Sequence, residues 1–188
     1  MNISNKTGLA LMALLLAACG GAEQEPATDA AAPAAANEIT VTEAELAGNP
    51  FREEWDPPYE IPPFAVIENG HYMPAFKKAI LELRAEIDGI ANNVEAPTFE
   101  NTIIALEKAG ESLSKVQGTF GNITSTDTDD ELRALESEIY PMLSSEYSAI
   151  VLNDTLWQRV KTVYEQRDSL DLDEQDARLL ELSHRQFV

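Results

Sequence analysis

The chain has 188 residues, with 13 Lys and Arg against 33 Asp and Glu, for a formal net charge of −20. That excess of acid repels phosphate backbones and anionic lipid head groups, so it argues against nucleic acid as a partner and suits a solvated surface. A single cysteine, Cys19, excludes an internal disulfide framework.

The N-terminus reads as an export signal. Lys6 supplies the positive charge, and Gly8 to Ala18 (GLALMALLLAA) forms an apolar stretch of 11 residues. A bilayer-spanning helix takes roughly 20 apolar residues, so this stretch suits a signal-peptide core. It closes on Leu16-Ala17-Ala18-Cys19, the pattern of a bacterial lipobox. The Cys19 thiol is then the lipidation site, with residues 1–18 removed. The alternative is an ordinary secretory signal whose cleavage point adjoins a cysteine. Lipidation accounts for the lone thiol, and several acyl chains on one residue give stable anchoring. Gly20 rather than Asp follows the cysteine, so the expected address is the bacterial outer membrane, with the body facing the periplasm.

Residues 19–48, rich in Ala, Pro, Glu and Thr and free of aromatics, read as a disordered acidic tether. Residues 49–188 are expected to form an all-α domain, an antiparallel helical bundle. At its entry, Trp55, Pro57, Pro58, Tyr59, Pro62, Pro63 and Phe64 suggest an extended strap docked on the body, or alternatively a polyproline ligand for a partner.

Phe76, Ile80, Leu83, Ile87 and Ile90 recur at steps of four and three, which places them on one face of a first helix. Thr98 caps a second, whose apolar stripe is Ile103, Leu106, Leu113, Val116 and Phe120. Thr128 and Glu131 form a capping box for a third, carrying Leu132, Leu135, Ile139, Leu143, Tyr147 and Ile150, with Pro141 expected to kink it. Asn153 or Asp154 caps a fourth, carrying Leu156, Val160, Val163 and Tyr164. A fifth begins near Asp171 to Asp173 and, with no Gly, Asn or Pro to stop it, is expected to run through Val188, as a truncated chain would.

Little in the chain resembles catalytic machinery. Its two histidines, His71 and His184, lie far apart, and neither has a second histidine one helical turn away, so no zinc site follows. Both read as packed or capping side chains. Asp127, Asp129, Glu131 and Glu138 mimic calcium-loop spacing, but Leu132 stands where that loop demands glycine. They read as an acidic helix start. Glu53-Glu54 and Asp173-Glu174 read as solvated charge, and the sequons at Asn122 and Asn153 as incidental. Neither a phosphate-binding loop nor a nucleophile elbow occurs.

The text from Asn49 to Gly110 (NPFREEWDPPYEIPPFAVIENGHYMPAFKKAILELRAEIDGIANNVEAPTFENTIIALEKAG) resembles the N-terminal helical region of bacterial peptidyl-dipeptidases, zinc metallopeptidases of the thimet oligopeptidase and oligopeptidase A family. So do Asp130 to Ile139 (DELRALESEI), Tyr164 to Leu170 (YEQRDSL), and the ending around Arg178-Leu179-Leu180-Glu181 and His184 to Val188. The resemblance implies a larger two-lobed helical fold, in which N-terminal helices wall a deep channel admitting short unfolded peptides. It also implies zinc-dependent release of dipeptides from peptide C-termini. That chemistry belongs to a downstream His-Glu-x-x-His helix, which this chain does not contain. No catalytic or metal-binding residue is therefore expected here, and the catalytic region is expected to be missing. The competing reading is a free-standing, non-catalytic helical lipoprotein that binds peptides or a protein partner.

Overall fold

A computed structural model of the chain describes residues 38–55 and 61–188. They are mostly helical, with no strand among the described residues, in accord with the all-α expectation. The signal segment, Cys19, most of the expected tether and Pro57 to Tyr59 of the strap lie outside the described residues. No helix of the described part is long and apolar enough to cross a membrane.

Six α-helices organise the body: α1 (Asn69–Ala91), α2 (Ala105–Lys108), α3 (Glu111–Thr126), α4 (Asp130–Val151), α5 (Asp154–Glu165) and α6 (Glu174–Arg185). A π-helical segment, Phe99–Ile104, leads into α2. Central to the packing is α1, which touches α2, α3, α4 and α5. Its predicted stripe is the buried one, with Phe76 and Ile80 fully inaccessible. Around it Tyr72, Val116, Phe120, Ile139, Leu143 and Leu156 close one apolar core. Phe120 meets Tyr72 and Phe76 edge-on, at ring separations of 4.9 and 5.4 Å. Phe99, Ile103, Val160, Val163 and Leu180 form a second cluster between the π segment, α5 and α6.

Several boundaries differ from the sequence reading. The described part of the expected tether, residues 38–48, packs on the body. Leu46 is buried, Ile39 packs on the main core, and Asn49 donates to the His71 carbonyl at 2.8 Å. Arg52 pairs with Glu43 at 2.9 Å across the same stretch.

The second expected helix is divided. Gly110 adopts φ +82°, and its N–H donates to the Glu86 carboxylate at 2.7 Å. The left-handed residue turns the chain between α2 and α3, while Ile103, Leu113, Val116 and Phe120 stay buried. Thr98 does cap the start, accepting from the Asn101 N–H at 3.0 Å.

The cap of α4 is Asp129 rather than Thr128. Its carboxylate accepts the Leu132 N–H at 2.7 Å, a register that sends Leu132 into the core. The helix then continues through Pro141 to Val151. Asn153 caps α5 and Asp173 caps α6. The last helix stops at Arg185, short of Val188, and Phe187 stacks on Trp157 at 5.8 Å.

Two polar ties fix the layout. Arg84 of α1 grips Glu146 of α4 through both carboxylate oxygens, at 2.5 and 2.7 Å. Arg159 of α5, 7% exposed, donates to the carbonyls of Asn93 and Glu95 and to Asn101 Oδ1, at 2.9, 3.1 and 3.1 Å. It ties α5 to the loop between α1 and the π segment.

Candidate functional site

Both histidines have structural occupations. His71 Nδ1 accepts the Glu68 N–H at 2.9 Å and closes the first turn of α1. His184 stacks on Tyr164 with ring centroids 3.8 Å apart, beside Trp157 at 5.1 Å. The acids of the calcium-like spacing serve a helix start, with Asn69 donating to both Asp129 and Glu131 at 3.0 Å. The Leu132 N–H, then the Asn69 amide, hold the Asp129 carboxyl below the usual aspartate range. Arg178, with Arg185, does the same for Glu181. Burial raises the Tyr72 phenol. These shifts belong to caps, ion pairs and packing, not to a shared catalytic pocket.

Among the described residues no group of three His, Cys, Asp or Glu side chains could hold a metal ion. The residues present do not fit the zinc that the resemblance implies.

Among the concave surfaces of the described residues, two touch elements singled out in the sequence. One is an open trough of about 600 Å³ between the entry strap and α3, walled by Trp55 and Pro62 over Gly118 and Thr119. Trp55 is fixed there by its indole N–H, which donates to the Pro50 carbonyl at 3.1 Å, and by Lys115, whose ammonium sits 4.0 Å from the ring centre. The Trp55 end of the strap is thus docked, while Phe64 is 40% exposed.

The other is a groove of about 200 Å³ between α1, α2, α3 and α4, with Ser183 and Gln186 also in its lining. Leu83, Ile87, Leu106, Leu113, Tyr147 and Ile150 line it. Tyr147, placed on the core face by its spacing, is 45% exposed on the groove wall, with its hydroxyl 2.8 Å from Gln117 Oε1. Neither surface was legible in the sequence, because each is assembled from elements distant along the chain.

No family model matches the chain. It is similar to two proteins named dipeptidyl carboxypeptidase. The one from Escherichia coli is 42% identical over 140 residues, which is 74% of this chain and 21% of that protein. The one from Salmonella typhimurium is 38% identical over 143 residues, 76% of this chain and 21% of that protein. Oligopeptidase A of Salmonella typhimurium is 30% identical over 93 residues, 50% of this chain and 14% of that protein. The chain thus spans about a fifth of the length of the dipeptidyl carboxypeptidases it matches.

Proposed function

Since the chain belongs to the family of dipeptidyl carboxypeptidase and oligopeptidase A, we propose that it is the N-terminal wall of a longer peptidase that removes dipeptides from the C-termini of short, unfolded peptides. The observation that carries this reading is the 42% identity over 140 residues to a dipeptidyl carboxypeptidase. The all-helical body fits a role in shaping access to a site elsewhere in the polypeptide. The zinc and the general base would come from the remainder of the polypeptide, and the Asn49–Val188 segment would restrict entry to chains thin enough to pass. Zinc in that remainder would activate water for attack on the peptide bond.

Cys19 would carry the lipid anchor and hold the enzyme at the bacterial envelope, with its body in the periplasm. The lipobox-like Leu16-Ala17-Ala18-Cys19 run and the lone thiol support this reading.

The test begins with the coding DNA downstream of Val188. A continuing frame encoding a His-Glu-x-x-His helix, and a purified product that releases dipeptides and loses activity to a chelator, is the expected result. An immediate stop codon in intact sequence would overturn the peptidase reading and favour a non-catalytic helical lipoprotein. Anchoring is tested by growth with a labelled fatty acid. Label should enter the wild-type chain and not Cys19→Ser, and an unlabelled wild type would sink the anchor.

A further inference from the structure

The groove is open and unfilled by any described side chain, with Leu83, Ile87, Leu106, Leu113, Tyr147 and Ile150 on its apolar side and Glu107, Ser114, Ser183 and Gln186 on its polar side. Exposed apolar side chains follow its lining residues along α4 and α6. Val151, 43% exposed, lies one turn beyond Tyr147 on α4, Leu152 follows at 80%, and Leu182, 40% exposed, lies one turn before Gln186 on α6. Apolar side chains grouped in this way mark a surface that another polypeptide covers.

We propose that this groove seats a helix from the remainder of the longer polypeptide, through one aliphatic or aromatic anchor side chain. The inference rests on the reading of the chain as part of a longer peptidase, and it adds which face meets the rest. Three observations favour that occupant over others. The relatives are about five times as long as the matched segment, so a large body of covalently attached chain is available to cover the face. At about 200 Å³ the groove is smaller than a typical small-molecule pocket and suits a single side-chain anchor. A second copy is disfavoured, because two chains each carrying a net charge of −20 repel one another. Glu107 is the one charged residue of the lining, so the seated helix should place a Lys or Arg beside its apolar anchor.

The test uses thiol labelling in a Cys19→Ser background, where any introduced cysteine is the only one. Tyr147→Cys and Gln186→Cys report on the groove, with Glu138→Cys, exposed on α4 and outside the lining, as reference. Maleimide labelling rates are measured in the 188-residue chain and in the full-length product, each normalised to the urea-unfolded protein. The expected result is fast labelling of both groove positions in the 188-residue chain and protection by about tenfold or more in the full-length protein. Equal rates at both groove positions in an active full-length peptidase would overturn the inference and leave the peptidase reading intact. Concentration-dependent protection in the 188-residue chain would overturn it in favour of a second copy. The absence of any longer product would remove both readings, and the DNA sequence alone reveals that case.

Discussion

Arg159 joins stretches of chain that local sequence does not connect. Its guanidinium reaches Asn93 O, Glu95 O and Asn101 Oδ1 from a site only 7% exposed. Arg159→Ala leaves those acceptors without their donor, and should lower stability by about 3 kcal/mol, read as a shift in urea midpoint. Arg159→Lys should recover only part of the loss, because one ammonium cannot span three acceptors that a planar fork reaches. Full recovery by lysine would show that charge alone matters there. Asp129 yields a pH prediction of definite sign. Its folded-state pKa is lowered, chiefly by the Leu132 N–H. Its stabilising contribution is thus present above the usual aspartate pKa and lost as pH falls through the lowered value. Asp129→Ala should therefore be less stable near neutrality and lose less stability on acidification. An unchanged slope of urea midpoint against pH would contradict the assignment. The cap Thr98 was legible because it precedes an apolar stripe in the right register, and the same spacing narrowed the cap of α5 to Asn153 or Asp154. Thr128 and Asp129 are both competent caps, and the Asp129 register is the one that buries Leu132 and lets the distant Asn69 reach Asp129 and Glu131.

At the scale of elements, glycine shows how the same residue type acts in opposite directions. Gly110 occupies φ +82° between α2 and α3, and an added Cβ would sit 3.3 Å from Leu83 Cδ1. Gly118 and Gly121 lie inside α3, and a Cβ on either would meet nothing within 4 Å. Gly110→Ala should cost about 1–2 kcal/mol, since alanine resists the left-handed region and crowds Leu83. Gly118→Ala and Gly121→Ala should each stabilise the 188-residue chain by about 0.5–1 kcal/mol by favouring helix. Thermal melts of the three variants decide the matter, and a stabilised Gly110→Ala would refute the turn assignment. Periodicity alone merged α2 and α3, because the stripe from Ile103 to Phe120 stays buried across the break. Spacing reports which residues are inside and does not report a turn that preserves the inside face. The end of α6 was missed for a related reason. No helix-stopping residue follows Arg185, and the chain turns as Phe187 packs on Trp157.

At the scale of the whole molecule, charge is the property the sequence states most plainly and the fold leaves largely unneutralised. The ion pairs that engage acids, such as Arg52 with Glu43 and Arg178 with Glu181, are mostly exposed, and Arg84 with Glu146 is the more sheltered. Exposed pairs of this kind contribute little, about 0–1 kcal/mol each. A net charge of −20 instead imposes repulsion over the folded surface, which unfolding relieves by expanding the chain. Salt screens that repulsion, with a Debye length of about 30 Å at 0.01 M falling to about 3 Å at 1 M. The urea midpoint of the 188-residue chain should therefore rise with sodium chloride and level off within a few tenths molar. A midpoint that falls with salt would mean that attractive pairs outweigh the repulsion, and that the acidic surface is better compensated than its composition implies. If the rise is seen in the 188-residue chain and is weaker in a full-length product, the remaining polypeptide supplies basic groups to this surface. The groove beside Glu107 is the first place to look for one.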